Sequence, residues 1–88
     1  MPTLSMFFGI IMYMNKESDA PHHEPHVHAR YQGNNASFNF DGELLAGSLP
    51  SRQQKYVEAW ILLHQEELMA NWELINAGEP FFRIAPLR

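Results

Sequence analysis

Two runs of alternating residues flank Gly33-Asn34, and they constrain the fold more than any other feature of the chain. Residues 26–32 and 35–41 alternate apolar and polar side chains, which is typical of β-strands with one buried face. Glycine tolerates the positive φ that a type II′ turn requires at its first central position, so Gly33-Asn34 predicts a two-residue hairpin turn. The register set by this turn collects the apolar residues of both strands on one face and the polar residues on the other. A slip of one residue would mix the two faces.

The segments around this hairpin predict further strands. The run from Met6 to Met14 is apolar on both alternating faces, which favours a central strand covered on both sides. Residues Asn15 to Pro25 are polar and contain two prolines, so we interpret them as a loop. Asp41-Gly42 is a second turn signal, and it precedes a predicted strand from Glu43 to Gly47. We therefore expect an antiparallel meander of roughly three to five strands.

Residues Ser51 to Ala77 carry a helical pattern. Apolar residues recur along this segment at spacings of three and four and form one stripe, which ends before Gly78. Ser51 and Gln54 match a capping box, which predicts that the Ser51 hydroxyl caps the helix. Periodicity leaves open whether the segment forms one helix or two with a bend near Gln65. Residues 81–84 are predicted to form an edge strand or a strap across the core.

These elements predict an α+β fold, in which a small antiparallel β-sheet packs against a C-terminal helical segment. A chain of 88 residues is shorter than most chains that divide into two cored units, so we expect residues 1–88 to form a single domain. The apolar run Phe7 to Met14 is too short to cross a bilayer and lacks the flanks of a signal peptide, so no membrane partner is expected.

Cysteine content and charge exclude several classes of function. The chain has no cysteine, which excludes disulfides, thiolate metal sites and cysteine nucleophiles and favours a cytoplasmic location. The formal net charge is −4, so the chain lacks the basic excess that attracts a nucleic acid backbone non-specifically. A nucleic acid partner is therefore disfavoured, although a local patch could still bind one.

Four of the five histidines are clustered just before and within the first hairpin strand. His26 and His28 are two residues apart on that strand, so their imidazoles point to the same side, and Arg30 joins them there. Together with His22 or with Asp41, which the predicted register places opposite His26, they could hold zinc or another divalent metal ion. The alternative is a solvated polar surface in which His26 hydrogen-bonds to Asp41 and no cofactor is bound. The spacing of the histidines permits both interpretations.

His64 lies within the apolar stripe of the helical segment. A partly buried histidine in such a position is most often a structural residue with hydrogen-bond partners. If it approached His26 and His28, the three imidazoles and the Arg30 guanidinium could serve as base, acid and phosphate clamp in RNA cleavage. The catalytic hypothesis therefore names His26, His28, Arg30 and His64.

Several sequence blocks resemble one bacterial family. They are P-T-L-S-x-F-F-G-I at 2–10, P-H-V-H-A at 25–29, G-S-L-P at 47–50, W-x-x-L-H-x-x-E-L at 60–68, N-W-E-L at 71–74 and A-G-E-P at 77–80. In order and spacing these blocks are similar to DUF4160, a domain of unknown function, over nearly the whole chain. The family's P-H-x-H block falls on Pro25, His26 and His28, its loop histidine on His22, and its W-x-x-L-H block ends at His64. Met6 stands where a basic residue is common, which weakens a phosphate-binding interpretation.

The resemblance implies a type of partner rather than an activity. Family members often lie beside a second small protein, an arrangement similar to a toxin and antitoxin pair. We therefore expect a protein-interaction module that resembles one component of such a gene pair and binds a small protein partner, with a homodimer as an open alternative. The other hypothesis is a metal-binding protein or RNA-cleaving enzyme that uses His26, His28 and His64. An interaction module should expose an apolar patch or a strand edge larger than monomers usually leave open.

Overall fold

The computed structural model describes residues 2–16 and 24–88, which form a sheet followed by helices. The elements are β1 (Thr3–Phe7), β2 (Ile10–Tyr13), β3 (His26–Tyr31), β4 (Asn34–Asn39), β5 (Leu44–Gly47), α1 (Ser51–Leu63) and α2 (Gln65–Asn76). The strands lie in the sheet in chain order, and every neighbouring pair is antiparallel. The predicted α+β class and the antiparallel meander are confirmed.

The first apolar run forms a hairpin, so the prediction of one strand from Met6 to Met14 is wrong. The chain reverses at Phe8 and Gly9, whose φ angles are +50° and +79°, and Phe7 pairs with Ile10 across the turn. Two consecutive positive φ angles are the geometry of a type I′ hairpin turn, which fits the twist of the flanking strands. The sequence hid this turn because a phenylalanine occupies a position that usually carries Asn, Asp or Gly.

The β3–β4 hairpin is present, but its turn lies one residue earlier than predicted. Gln32 and Gly33 have φ angles of +46° and +83°, so the turn is type I′ rather than type II′, and Tyr31 pairs with Asn34. This moves the register by two residues, and His26 faces Asn39 instead of Asp41. Because side chains alternate with a period of two, an even shift keeps every residue on its predicted face. The apolar face, with Val27, is buried as expected.

Strand β5 joins β4 through an irregular register. Leu44 pairs with Phe38 and Ala46 with Ser37, so one extra residue, Leu45, lies between them as a β-bulge. Gly47 has a φ angle of +73°, and a Cβ atom there would collide with the Asn35 carbonyl oxygen. Glycine is therefore required for the close approach of the two strands at this end of the sheet.

The helical segment divides into two helices at His64, whose φ and ψ angles of −128° and 29° are not helical. This resolves the alternative that periodicity left open, with the break one residue before Gln65. The predicted capping box is wrong, because Pro50 occupies the N-cap position and no side chain caps the helix. Ser51 is itself the first helical residue, and the Gln54 side chain donates to the Glu58 carboxylate.

The C-terminal residues 81–87, here called the strap, cross the helices and reach the first strand. The Ile84 N–H donates to the Leu4 carbonyl at 2.8 Å, and the Trp60 indole N–H donates to the Ala85 carbonyl at 2.9 Å. Asn71, which is fully buried, bonds both the N–H and the carbonyl of Phe82. Of the two predicted alternatives for residues 81–84, the structure contains the strap.

One hydrophobic core lies between the sheet and the helices. The sheet contributes alternate residues of its strands, the helices contribute the apolar stripe, and the strap contributes Ile84. Its fully buried members include Leu4, Ile10, Met12, Met14, Val27, Ala29, Phe38, Val57, Trp60, Ile61 and Leu68. Burial of these side chains, at about 1.5–3 kcal/mol for each large one, is the main favourable term in folding.

Replacing Gly47 with alanine should destabilise the chain more than the same change at Gly33. Both positions have positive φ, which costs a non-glycine residue about 1–2 kcal/mol. A Cβ at Gly33 meets nothing within 4 Å, whereas one at Gly47 must displace the backbone of β4. We expect Gly33→Ala to lower the free energy of unfolding by about 1–2 kcal/mol and Gly47→Ala by about 2–5 kcal/mol. Urea unfolding measures both values, and equal losses would contradict the observed β4–β5 approach.

Candidate functional site

The two edges of the sheet differ in how they are covered. Strand β1 receives a hydrogen bond from the strap through the Leu4 carbonyl, so part of its outer edge is already paired. Strand β5 has β4 as its neighbour on one side, and no strand pairs with its other side in the described part of the chain. We call this outer side of residues 44–47 the open edge. Unpaired strand edges offer backbone groups to a further strand.

The open edge has only part of the usual protection against pairing. All of its residues, Leu44 to Gly47, are exposed, and none is charged or a proline. Natural edge strands are commonly blunted by Lys, Pro or inward-pointing charges. Here the protection is limited to the shortness of the strand and the bulge at Leu45. Leu44 and Leu45 are 41% and 42% exposed, so the edge is also apolar.

The hydrogen bonds to β4 show which backbone groups point outward. The Glu43 carbonyl accepts from the Asn39 N–H, and the Ser48 N–H donates to the Asn35 carbonyl. In an antiparallel strand, residues whose backbone groups point toward the partner strand alternate with residues whose groups point away. Leu44 follows Glu43 and Gly47 precedes Ser48, so both direct their N–H and C=O groups away from β4. These two residues therefore present the backbone groups that an added strand would contact.

A shallow depression adjoins the open edge on the face of the sheet opposite the helices, which we call the outer face. It has a volume of about 260 Å³ and is lined by residues of β3, β4 and β5. These residues are His28, Asn35, Ala36, Ser37, Ala46 and Gly47. A side chain of an added strand that points to the outer face would lie over this depression.

Acidic residues precede β5 in the chain and lie on the adjoining part of α1. Asp41 and Glu43 are exposed and flank Gly42, which lies against the Glu58 backbone of α1. The Glu43 carboxylate accepts a hydrogen bond from the Asn39 amide at 2.8 Å, and the Glu58 carboxylate accepts one from Gln54 at 3.2 Å. Asn39 also accepts from the backbone N–H groups of residues 41 and 43, which fixes this turn. The start of the open edge is thus negatively charged.

The strand histidines form a cluster with an aromatic residue from β2. The rings of His26 and His28 have centroids 5.0 Å apart, and His28 stacks on Tyr13 at 5.0 Å with an interplanar angle of 14°. Arg30 lies over the Tyr13 ring at 5.6 Å, within the range of a cation–π contact. The predicted grouping of His26, His28 and Arg30 on one side of β3 is therefore observed, and Tyr13 completes this histidine cluster.

His26 is the most buried member of the cluster apart from Tyr13. It is 9% exposed, and its ring lies 5.2 Å from that of Trp72 on α2. Its Nδ1 atom lies 3.0 Å from the Glu24 carbonyl oxygen, which can only accept, so Nδ1 carries the proton. In a neutral ring that is protonated at Nδ1, Nε2 is the nitrogen that carries the lone pair.

His64 has a different environment from the strand histidines. It lies between the helices, its ring contacts Trp60 at 5.4 Å, and its Nδ1 atom lies 2.6 Å from the Glu67 carboxylate. Its described contacts are thus with helix residues, whereas His26 and His28 contact each other. The catalytic set that includes His64 stays a prediction.

The described residues do not complete the predicted metal set of His22, His26, His28 and Asp41. His22 lies outside the described residues, and Asp41 is in the turn after β4, displaced from His26 by the register shift. Within residues 2–16 and 24–88, no group of three or more histidine, aspartate and glutamate side chains is arranged to hold a metal ion. The set with His22 therefore stays a prediction.

Sequence reasoning missed two parts of the site. Tyr13 pairs with His28 across β2 and β3, and this pairing depends on the unrecognised turn at Phe8 and Gly9. The open edge was predicted only in general terms, because the strand order that leaves β5 outside cannot be read from local alternation. The uncharged run L-L-A-G at 44–47 was the available signal.

The fold and site define an α+β domain with an antiparallel meander sheet, one apolar open edge and a histidine cluster on β3. Residues 9–73 match the family model for DUF4160, a domain of unknown function. This match covers most of the 88 residues, so the chain belongs to the DUF4160 family. No curated protein and no solved structure is significantly similar to it. In the described part of the chain, neither helix has the length and apolar character needed to span a membrane.

The metal hypothesis predicts that excess zinc raises the melting temperature. Binding to the folded state alone adds about 2.7 kcal/mol at a ligand concentration of 100 times Kd, which corresponds to a rise of at least several degrees for a small domain. His26→Gln and His28→Gln should abolish this rise, whereas His64→Gln, the matched control, should retain it. Differential scanning calorimetry with and without zinc is the measurement. An unchanged melt of the unmodified chain at saturating zinc would rule the hypothesis out.

Proposed function

We propose that this chain is a bacterial protein-interaction module that binds a small protein partner through the open edge. The observation that supports this proposal most directly is the exposure of the whole of β5, an uncharged strand at the margin of the sheet. Such edges bind extended segments by strand addition, in which backbone hydrogen bonds supply affinity and alternate side chains supply specificity. The partner that fits the family resemblance is a second small protein encoded alongside, as in a toxin and antitoxin pair.

The energetics of strand addition suit this edge. Each new backbone hydrogen bond has a net value of about 0.5–1.5 kcal/mol, and Leu44 and Gly47 together offer the outward donors and acceptors. Leu44 and Leu45 are roughly two-fifths exposed, so a partner can bury apolar area in addition to the hydrogen bonds. The depression between His28 and Gly47 can receive a partner side chain, which provides a means of discrimination between sequences.

The setting we propose is the cytoplasm. A chain with no cysteine has no disulfide to maintain, and it is suited to a reducing compartment. Small partners encoded together meet there soon after synthesis. The negative net charge of −4 also favours a protein partner over a nucleic acid backbone.

Leu44→Pro should disrupt partner binding, and Leu44→Val should preserve it. Proline removes the outward N–H of residue 44 while leaving the bonds from Glu43 and Ser48 to β4 intact, and proline is tolerated on strand edges in this orientation. Valine keeps the N–H and most of the apolar surface. Loss of one hydrogen bond and one buried side chain, about 2–4 kcal/mol, should weaken binding by at least tenfold. Co-expression with the product of the adjacent gene, followed by co-purification and calorimetric titration, measures the difference.

Thermal melts of both variants serve as the folding control. If Leu44→Pro melts like Leu44→Val and still co-purifies with the partner at wild-type yield, the proposed role of the open edge is wrong. A second copy of the chain is the competing occupant. Sedimentation of the chain alone distinguishes the two occupants. If the unmodified chain is a dimer and the Leu44→Pro variant is a monomer, the open edge serves self-association instead of partner binding.

A second candidate function is supported by the histidine cluster. The 5.0 Å spacing of the His26 and His28 rings is short enough for both to act on one ligand, as a metal-binding protein or RNA-cleaving enzyme requires. Its metal form needs a further ligand such as His22, and its enzymatic form needs His64 to join the strand histidines. The zinc melts described above test its metal form, and incubation with RNA tests its enzymatic form.

A further inference from the structure

We propose that the segment bound by the open edge adds as a further antiparallel strand and carries lysine or arginine at its C-terminal end. This inference rests on the proposed function and specifies the chemistry of its partner. It is carried by two observations together, the outward backbone groups of Leu44 and Gly47 and the carboxylates at the beginning of β5.

Asp41 and Glu43 shortly precede the first outward residue, Leu44, in the chain, and Glu58 lies on the part of α1 that adjoins this turn. Asp41 and Glu43 flank Gly42, whose backbone adjoins that of Glu58, so acidic residues of the turn and of α1 lie in neighbouring parts of the surface. The Glu43 and Glu58 carboxylates accept hydrogen bonds from uncharged amides of Asn39 and Gln54. Those bonds orient the carboxylates and leave their negative charge in place.

The negative charge here is incompletely balanced by the residues that the structure describes. Among residues 2–16 and 24–88, none of these carboxylates forms an ion pair with lysine or arginine. Lys55 is the basic residue on the adjoining face of α1, where it lines a groove with Gln54 and Glu58. One lysine beside three carboxylates leaves a net negative surface at this end of the edge. A basic partner group would therefore be attracted to it.

The direction of the added strand follows from the sheet. All four observed strand pairs are antiparallel, and antiparallel pairing is slightly more stable per residue than parallel pairing. In an antiparallel addition, the C-terminal end of the new strand lies beside the N-terminal end of β5. That end of β5 is the one flanked by the carboxylates. The basic residues of the partner are thus expected at the C-terminal end of its strand.

A random-peptide phage library, panned against the full chain, tests the inference and does not require the natural partner. We expect the enriched peptides to alternate apolar and polar residues and to end in Lys or Arg on the C-terminal side. Their binding should weaken roughly three- to tenfold in Asp41→Lys, because reversal of an exposed charge changes an attraction into a repulsion. Glu73→Lys, on the exposed side of α2, makes the same change in net charge and should leave binding unaltered. Added salt should reduce the difference between these variants.

The outcomes separate the inference from the function on which it rests. Enriched peptides that bind Leu44→Pro as well as the unmodified chain would show that they bind elsewhere and would contradict both proposals. A different outcome would overturn only the inference of a basic C-terminal end. In that outcome the peptides fail to bind Leu44→Pro, but they end in acidic or neutral residues and bind Asp41→Lys as well as the unmodified chain. Failure to enrich any peptide would also overturn it, while co-purification with the adjacent gene product remains the independent test of the proposed function.

Discussion

The hydrogen bond from the Ile84 N–H to the Leu4 carbonyl determines which edge of the sheet is covered by the chain itself. A five-stranded open sheet has two edges, and both would otherwise present unpaired backbone groups. The strap covers part of the β1 edge and is held there by Trp60 and by buried Asn71. The β5 edge receives no corresponding cover from the described residues. The three hydrogen-bonded contacts of the strap thus leave the sheet with one partly covered edge and one open edge.

The sheet was predicted from the alternation of apolar and polar residues. This basis explains why the faces of the strands were predicted correctly and the register was not. The β3–β4 turn was placed one residue late, yet Val27 and Phe38 are buried as expected because the error in register was even. The predicted pairing of Asp41 with His26 is wrong, because it depended on the register itself and His26 faces Asn39. Alternation therefore predicts the face on which a residue lies more reliably than the residue opposite to it.

The remaining differences come from tertiary contacts that local patterns do not contain. Phe8 adopts positive φ and contacts Tyr56 of α1 at 4.9 Å, a packing contact that compensates for an unfavourable turn residue. The break at His64 lies where Gln65 donates to the Phe40 carbonyl at 2.8 Å, so the start of α2 is anchored to the sheet. The histidine cluster was predicted from spacing alone, but Tyr13 required the β2–β3 pairing. The open edge required the complete strand order.

Amide hydrogen exchange, read residue by residue by NMR, tests the central claim most directly. The free chain should show rapid exchange at Leu44 and Gly47, whose N–H groups point outward, and slow exchange at Ile84, which bonds to Leu4. Addition of the partner should slow Leu44 and Gly47 by at least about tenfold and leave Ile84 unchanged. Protection of Leu44 and Gly47 in the free monomer, or exchange there that the bound partner does not alter, would contradict the account.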